Sequence, residues 1–179
     1  MARREPGYAR WLNALVLLGL GWLAILLELA PLGGLASSAP SPDFLFCVAA
    51  FLVVRRSRST PAILVLLLGL ARDLIGGGAV GIEALTLLGA VELMRGYRFW
   101  LRRRSFVFEL ALAAALAMGM AALQVVALTI TFAPSPALET LALGVLGTAG
   151  AYVAVAFLLR YGLRLRAEPQ PRGPLGATP

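Results

Sequence analysis

Residues 95–132 have the sequence RGYRFWLRRRSFVFELALAAALAMGMAALQVVALTITF, in which an arginine-rich stretch is followed by a long apolar one. From Phe106 onward the only charged residue in this stretch is Glu109. About 20 apolar residues in a helix, which rises about 1.5 Å per residue, cross a hydrocarbon core of about 30 Å. Residues 106–132 therefore predict a transmembrane helix that begins beside a basic segment.

The whole chain has the composition of a membrane protein. Of its 179 residues, 60% are hydrophobic and 14% are charged, whereas soluble domains have about 45–50% apolar and about 25% charged residues. The single cysteine, Cys47, excludes a disulfide scaffold. The length predicts one membrane domain rather than two soluble ones.

Apolar segments alternate with polar breaks along the rest of the chain. We predict helices at about 11–31, 43–54, 61–75, 80–94, 106–132 and 138–160. The second, third and fourth segments are short, so a re-entrant hairpin of the second and third is the alternative. That hairpin would place Arg55, Arg56 and Arg58 at membrane depth, where inserting each charged side chain costs about 2.5–3.5 kcal/mol. The prediction is an all-α, polytopic bundle of about six transmembrane helices over residues 1–166, with a flexible cytoplasmic tail at 167–179.

The basic residues predict the orientation of this bundle. All are arginines, and all except Arg72 lie before the first segment, after the last one, or in the breaks at 55–60 and 95–105. Because cytoplasmic loops collect basic residues, we expect a multi-pass protein with both termini in the cytoplasm. A cleaved signal peptide is the alternative for the first segment, but that apolar run is longer than the usual 7–15 or so residues.

Acidic residues cluster near the predicted outer face. Asp43, Glu83, Glu109 and Glu139 fall in first helical turns, where the helix dipole favours an anion, with Glu109 near the inner face. Helix capping explains them without any function. The alternative is an acidic outer rim that contacts an extracytoplasmic partner.

Arg72 and Asp73 are ionisable residues inside an apolar segment, which makes them candidates for function. Neighbours in a helix point about 100° apart, so we expect Asp73 to reach another helix and Arg72 to extend outward. Gly69, one turn before Asp73, predicts a close helix contact on that face. The structural interpretation is a polar clamp between helices, and the functional one is a substrate or proton site.

Small residues recur every four positions on the last two segments. On the fifth segment they form two adjacent faces (Ala111, Ala115 and Gly119; Ala113, Ala117 and Ala121), and on the sixth they include Gly147 and Ala151, with Gly144 and Thr148 beside them. Such stripes allow close helix approach in lipid. Packing within the fold and docking of a partner's transmembrane helix both fit this pattern.

Motifs for catalysis and for nucleic-acid binding are missing from the sequence. Without histidine there is no zincin motif and no Ser-His pair. The glycines at 76–78 are not followed by the Lys-Ser/Thr of a phosphate-binding loop, and the arginines lack an interleaved aromatic platform for single-stranded nucleic acid. We predict a protein that is not an enzyme and that needs no cofactor or metal.

The middle of the chain resembles the MreD family of rod shape-determining membrane proteins. The resemblance is carried by the motifs PDFL at 42–45, the arginine loop at 55–58 with Pro61, GLARDL at 69–74 and GIEAL at 81–85, which opens with Gly81. It covers about residues 42–95, and the flanking segments match in hydrophobicity alone. Arg72 departs from the pattern, which has an apolar residue there.

The resemblance implies a non-enzymatic component of the bacterial lateral wall-elongation machinery in the cytoplasmic membrane. It implies an MreC-like bitopic partner and, indirectly, an MreB-like filament and RodA with its transpeptidase, all in contact with membrane lipid. The partner's helix would pack on a small-residue stripe, and the acidic rim, above all Asp43 and Asp73, would position its juxtamembrane segment.

The family fold is thought to be similar to the substrate-binding subunits of energy-coupling-factor transporters. A vitamin-type substrate-capture subunit is therefore the alternative function. That function requires several convergent polar groups in one pocket, and the sequence supplies few inside its apolar segments.

Overall fold

The computed structural model describes residues 7–29, 42–56, 60–76, 81–130 and 137–161, and within these ranges all regular structure is α-helical. The helices are α1 (Gly7–Leu29), α2 (Phe44–Arg55), α3 (Ala62–Gly76), α4 (Ile82–Arg103), α5 (Phe106–Ile130) and α6 (Leu138–Tyr161). The prediction of an all-α chain is confirmed, and each predicted segment corresponds to one helix. The tail predicted at 167–179 lies outside the described residues.

The fourth helix differs most from its predicted bounds. We expected it to end at residue 94, but α4 continues to Arg103, so most of the arginine-rich break is helical. Arginine and leucine are good helix formers, and Leu101 is buried and anchors the added turns. In addition, Arg95 Nη2 donates a hydrogen bond to the carbonyl oxygen of Thr60 at 2.6 Å, which ties this part of α4 to the start of α3.

The short helix α2 lies at the centre of the bundle. Every residue from Leu45 to Val54 is buried, and α2 packs against α1, α4 and α6. Around it, α1 contacts α3, α3 contacts α4, α4 contacts α5, and α5 contacts α6. Over the described ranges no contact of similar extent joins α6 to α1, so the surrounding helices form an open ring.

Helices α3 and α4 approach each other closely at Gly69, where the sequence predicts a close contact. A Cβ atom at this position would lie 2.9 Å from Ala84 Cα, which is too near for two helices that keep their places. The turn before α4 also requires glycine, because Gly81 has a φ of 93°, in the left-handed region that side chains disfavour.

The outward surface of the bundle is apolar. Helices α5 and α6 are long and apolar enough to cross a membrane, yet only 11% and 22% of their most apolar 18-residue windows are buried. A core helix of a soluble protein would bury most of such a window. Large side chains on the outward surface, such as Ile130, Leu146 and Phe157, are more than 60% exposed. An apolar surface of this extent requires lipid or protein around it.

Candidate functional site

Arg72 is the centre of a group of charged side chains from four helices. Its guanidinium is 2.9 Å from Asp43 Oδ1 and 3.1 Å from Glu83 Oε2, through Nη1 and Nη2. Its Nε lies 3.4 Å from Glu28 Oε2. We call Glu28, Asp43, Arg72 and Glu83 the Arg72 cluster. The expectation that Arg72 extends toward the outer face stays a prediction, and three carboxylates hold its guanidinium between the helices and leave the side chain 21% exposed.

Two of these carboxylates are held by the amino-terminal end of α2. Asp43 is the N-cap residue, and its Oδ1 accepts a hydrogen bond from the Phe46 backbone N–H at 2.8 Å. Glu28 Oε1 accepts one from the Leu45 backbone N–H, also at 2.8 Å. These N–H groups have no partner within the helix, so both acids satisfy them and also benefit from the positive end of the helix dipole. Capping, predicted for Asp43, thus coexists with the ion pair to Arg72.

The cluster is linked to the last two helices by neutral polar groups. Gln124 Nε2 on α5 donates a hydrogen bond to Glu83 Oε1 at 2.9 Å. On α6, Thr148 Oγ1 accepts a hydrogen bond from the Asp43 backbone N–H at 3.1 Å and donates one to the Gly144 carbonyl at 2.8 Å. Each of the six described helices therefore contributes to, or is bonded to, this one site.

Asp73 lies apart from the cluster and caps α4. Its Oδ2 accepts hydrogen bonds from the backbone N–H groups of Gly81 at 2.8 Å and Ala84 at 3.2 Å. The side chain is 3% exposed, and no donor in the described ranges reaches Oδ1. Asp73 does reach another helix, as expected, and the contact is that of a polar clamp between α3 and α4. Of the residues predicted for the acidic rim, Asp43 and Glu83 lie together at Arg72, whereas Asp73 does not join them.

A cavity of about 240 Å³ opens beside the Arg72 cluster, between α4, α5 and α6. Its polar wall comprises Asp43, Arg72, Glu83, Thr86, Gln124, Thr140 and Thr148, and its apolar wall includes Phe46, Met120 and Val145. Of the cluster, Asp43, Glu83 and Arg72 line this cavity, so one acidic group is in excess at its wall. Chemically, this site can receive a basic or hydrogen-bonding group that enters from the same end of the bundle.

The small-residue stripes divide between the interior and the surface. On α6, Ala151 is buried, and a Cβ at Gly147 would lie 3.6 Å from Pro42 Cγ, so both residues pack inside the fold. On α5, Ala113 is buried, whereas Ala111, Ala115 and Gly119 are exposed. No atom lies within 4 Å of the position that a Gly119 Cβ would take. The accessible stripe is the one on α5.

A second polar cluster lies at the opposite end of α2. Glu109 is 2% exposed, and its carboxylate contacts Arg55 Nη2 at 2.8 Å and accepts a hydrogen bond from the Tyr152 hydroxyl at 2.7 Å. We predicted Glu109 as a capping residue of the fifth helix. It does occupy the first turn of α5, and its carboxylate also joins α5 to α2 and α6.

Sequence reasoning missed three members of the network. These are Glu28 on α1, Gln124 on α5 and Thr148 on α6, and the sequence patterns predict none of their partners. Each is a polar residue inside an apolar segment. If successive segments run in opposite directions, Glu28 and Gln124 lie toward the same end of the bundle as Asp43, and that was the available signal. Thr148 lies near the middle of its segment and gave no such signal.

Comparison with known proteins gives one family match. A family model described as rod shape-determining protein MreD matches residues 8–159, which include the Arg72 cluster, Gln124 and Thr148. No curated protein and no solved structure matches the chain. Among the described residues there is no group of three or more histidine, cysteine or acidic side chains that could hold a metal ion.

Proposed function

This chain belongs to the MreD family of rod shape-determining proteins, and on that premise we propose that it docks the transmembrane and juxtamembrane parts of an MreC-like partner. As a family member it is a membrane protein with a role in rod shape determination. In the proposed role it is a non-enzymatic component of the lateral wall-elongation machinery. It would reach the MreB-like filament and RodA with its transpeptidase through that partner.

The proposed topology has six crossings and two cytoplasmic termini. It is supported by the arginine pattern, and also by which helix ends meet at the Arg72 cluster. The last turn of α1, the start of α2, the last turns of α3 and the start of α4 all contribute to it. Helices that alternate in direction bring together these ends, and this end would be the extracytoplasmic one because the arginine breaks lie at the other.

The surface that supports docking is the exposed small-residue stripe of α5. Ala111, Ala115 and Gly119 follow one another at four-residue spacing and are exposed, with Met118 and Leu123 beside them as large apolar contacts. In lipid, close backbone approach is a main source of helix association. A single transmembrane helix of the partner would gain that approach here, because the corresponding stripe on α6 is already used inside the fold.

The Arg72 cluster would then position the segment of the partner that leaves the membrane. At the wall of the cavity that adjoins α5, Asp43 and Glu83 face the single guanidinium of Arg72, so one acidic group is in excess. A basic residue in the partner's juxtamembrane segment would complement this excess. Asp43 and Glu83 are the best candidates for that contact, while Asp73 would act through the position of α4.

The single observation that carries the docking proposal is the exposed, open position of Gly119, and co-purification with an MreC-like protein tests it. In Gly119→Leu, the added side chain holds a partner helix away, and we expect at least about tenfold weaker capture, equivalent to about 1.4 kcal/mol. Gly150→Leu is the matched control on α6, since Gly150 is also exposed and has no atom within 4 Å of its Cβ position. Full capture by Gly119→Leu, or equal loss in both variants, would contradict docking on α5.

The alternative of a substrate-capture subunit gains no support from the family match, which is to a rod shape-determining protein. The likeness of the fold to transporter subunits stays a prediction, since no solved structure matches the chain.

A further inference from the structure

A second groove, distinct from the cavity at the Arg72 cluster, lies at the Glu109 end of the bundle. It has a volume of about 220 Å³ and runs between α2, α5 and α6. Four aromatic rings and two guanidinium groups dominate its wall: those of Phe51, Phe106, Phe157, Tyr161, Arg55 and Arg160. Neither the ion pair of Glu109 nor the proposed docking on α5 explains why these groups converge on an open groove.

The two arginines differ in how firmly they are held. Arg55 is fixed by its contact with Glu109 at 2.8 Å, and its guanidinium carbon lies 5.5 Å from the centre of the Phe51 ring. Arg160 is in the last turn of α6 and is exposed. Glu109 offsets the charge of Arg55, so the wall of the groove has an excess of one positive charge, which Arg160 supplies.

The aromatic wall is continuous with the lipid-facing surface. Phe157 and Tyr161 lie with ring centres 4.5 Å apart, and both are more than 60% exposed. Both belong to α6, one of the two helices that can cross a membrane. Arg160 and Tyr161 are the last described residues of that helix. Because basic and aromatic side chains collect at membrane–water interfaces, we expect the groove to lie where the hydrocarbon core meets the headgroup layer.

We propose that this groove binds one anionic phospholipid. Its phosphate is held by Arg160, with Arg55 at the floor of the groove, and one acyl chain lies against Phe51 and Phe157. Guanidinium groups match phosphate in charge and in hydrogen-bonding geometry. Basic pockets between membrane helices are a known form of lipid headgroup site. Helix α5 begins at Phe106 beside the groove, and its amino-terminal end also favours an anion.

Thermal unfolding of the purified full-length protein in detergent tests this proposal. We expect phosphatidylglycerol to raise the unfolding midpoint, whereas phosphatidylcholine with the same acyl chains does not, because ligand binding to the native state stabilises it. Glycerol 3-phosphate alone is expected to give no shift, because it lacks the acyl chains that fill the apolar wall.

Three variants make the test specific to the groove. Arg160→Ala should need about fivefold more phosphatidylglycerol for the same shift, the loss expected for one arginine near a lipid surface. Phe157→Ala should weaken binding too, and both side chains are exposed, so neither change disturbs the core. Arg103→Ala, which removes an exposed arginine from the end of α4, is the matched control and should behave like the wild type.

Several results would overturn the lipid site. Equal stabilisation by the two phospholipids would remove the headgroup contact, and a full shift with glycerol 3-phosphate would show a free phosphate site instead. Equal losses in Arg160→Ala and Arg103→Ala would show that net charge alone attracts the lipid. A photocrosslinker at Phe157 that captures a protein helix in membranes, rather than lipid, would assign the groove to a partner.

Discussion

Replacing Arg72 with methionine should cause one of the largest losses of stability in the molecule. The change keeps the length and apolar stem of the side chain but removes the guanidinium that contacts Glu28, Asp43 and Glu83. Removal of one partner from a buried ion pair costs about 3–5 kcal/mol, because the remaining charge is left uncompensated. Here three carboxyl groups would lose their shared partner.

The magnitude should fall near the lower end of that range. The Arg72 side chain is 21% exposed, so water replaces part of the lost interaction. Glu28 and Asp43 also keep their hydrogen bonds to the Leu45 and Phe46 backbone N–H groups. We therefore expect a loss of about 3 kcal/mol. For a chain of this length, about 2–4 °C per kcal/mol gives a fall in unfolding temperature of about 6–12 °C.

The assay is thermal unfolding of purified protein in one detergent, with Arg103→Met as the control because Arg103 is exposed and lies outside the cluster. Arg72→Lys should recover part of the loss, because its ammonium restores the positive charge. The recovery should be incomplete, because an ammonium lacks the planar guanidinium fork that contacts several carboxylates at once. A loss below about 1 kcal/mol in Arg72→Met, within the range of an exposed pair, would refute the conclusion that Arg72 is the centre of the network.

Two further substitutions test packing and hydrogen bonding elsewhere in the bundle. Gly69→Ala places a Cβ 2.9 Å from Ala84 Cα and should reduce stability by about 1–3 kcal/mol through overpacking. Thermal unfolding in detergent measures this loss, and Gly89→Ala is the control because no atom lies within 4 Å of its Cβ position. Equal losses in the two variants would contradict the close contact between α3 and α4. Tyr152→Phe removes the donor that lies 2.7 Å from Glu109 Oε1 and should cost about 1–3 kcal/mol, because a buried charged acceptor loses a partner; an unchanged unfolding midpoint would show that the bond contributes nothing.

Local sequence features predicted the helices well, because each depends on a contiguous apolar segment. The close contact at Gly69 was predictable for the same reason, since it follows from spacing within one helix. The end of α4 was not, because its last turns are held by Leu101 in the core and by Arg95 bonded to Thr60, both long-range contacts.

The sequence predicted several residues of the candidate site, but it did not predict which partners their side chains contact. Asp43 and Glu83 were identified from their place at helix starts, but the direction of Arg72 depends on three carboxylates from other helices. Periodicity gives the face on which a side chain lies and does not give the partner it meets. For the same reason, the sequence grouped Asp73 with Asp43, although Asp73 is directed to α4.

The short central helix has a consequence for how the chain enters the membrane during synthesis. α2 has 12 residues and so spans about 18 Å, against a hydrocarbon core of about 30 Å. A segment of this length, with Asp43 before it and Arg55 at its end, partitions poorly by itself. In the proposed six-crossing topology we therefore expect α2 to depend on neighbouring helices during insertion. Helix α1 is the nearest available partner, because it is synthesised first and Glu28 accepts a hydrogen bond from the start of α2. Helices of this protein would then insert as pairs, and the centre of the bundle would assemble inside the bilayer instead of inserting one helix at a time.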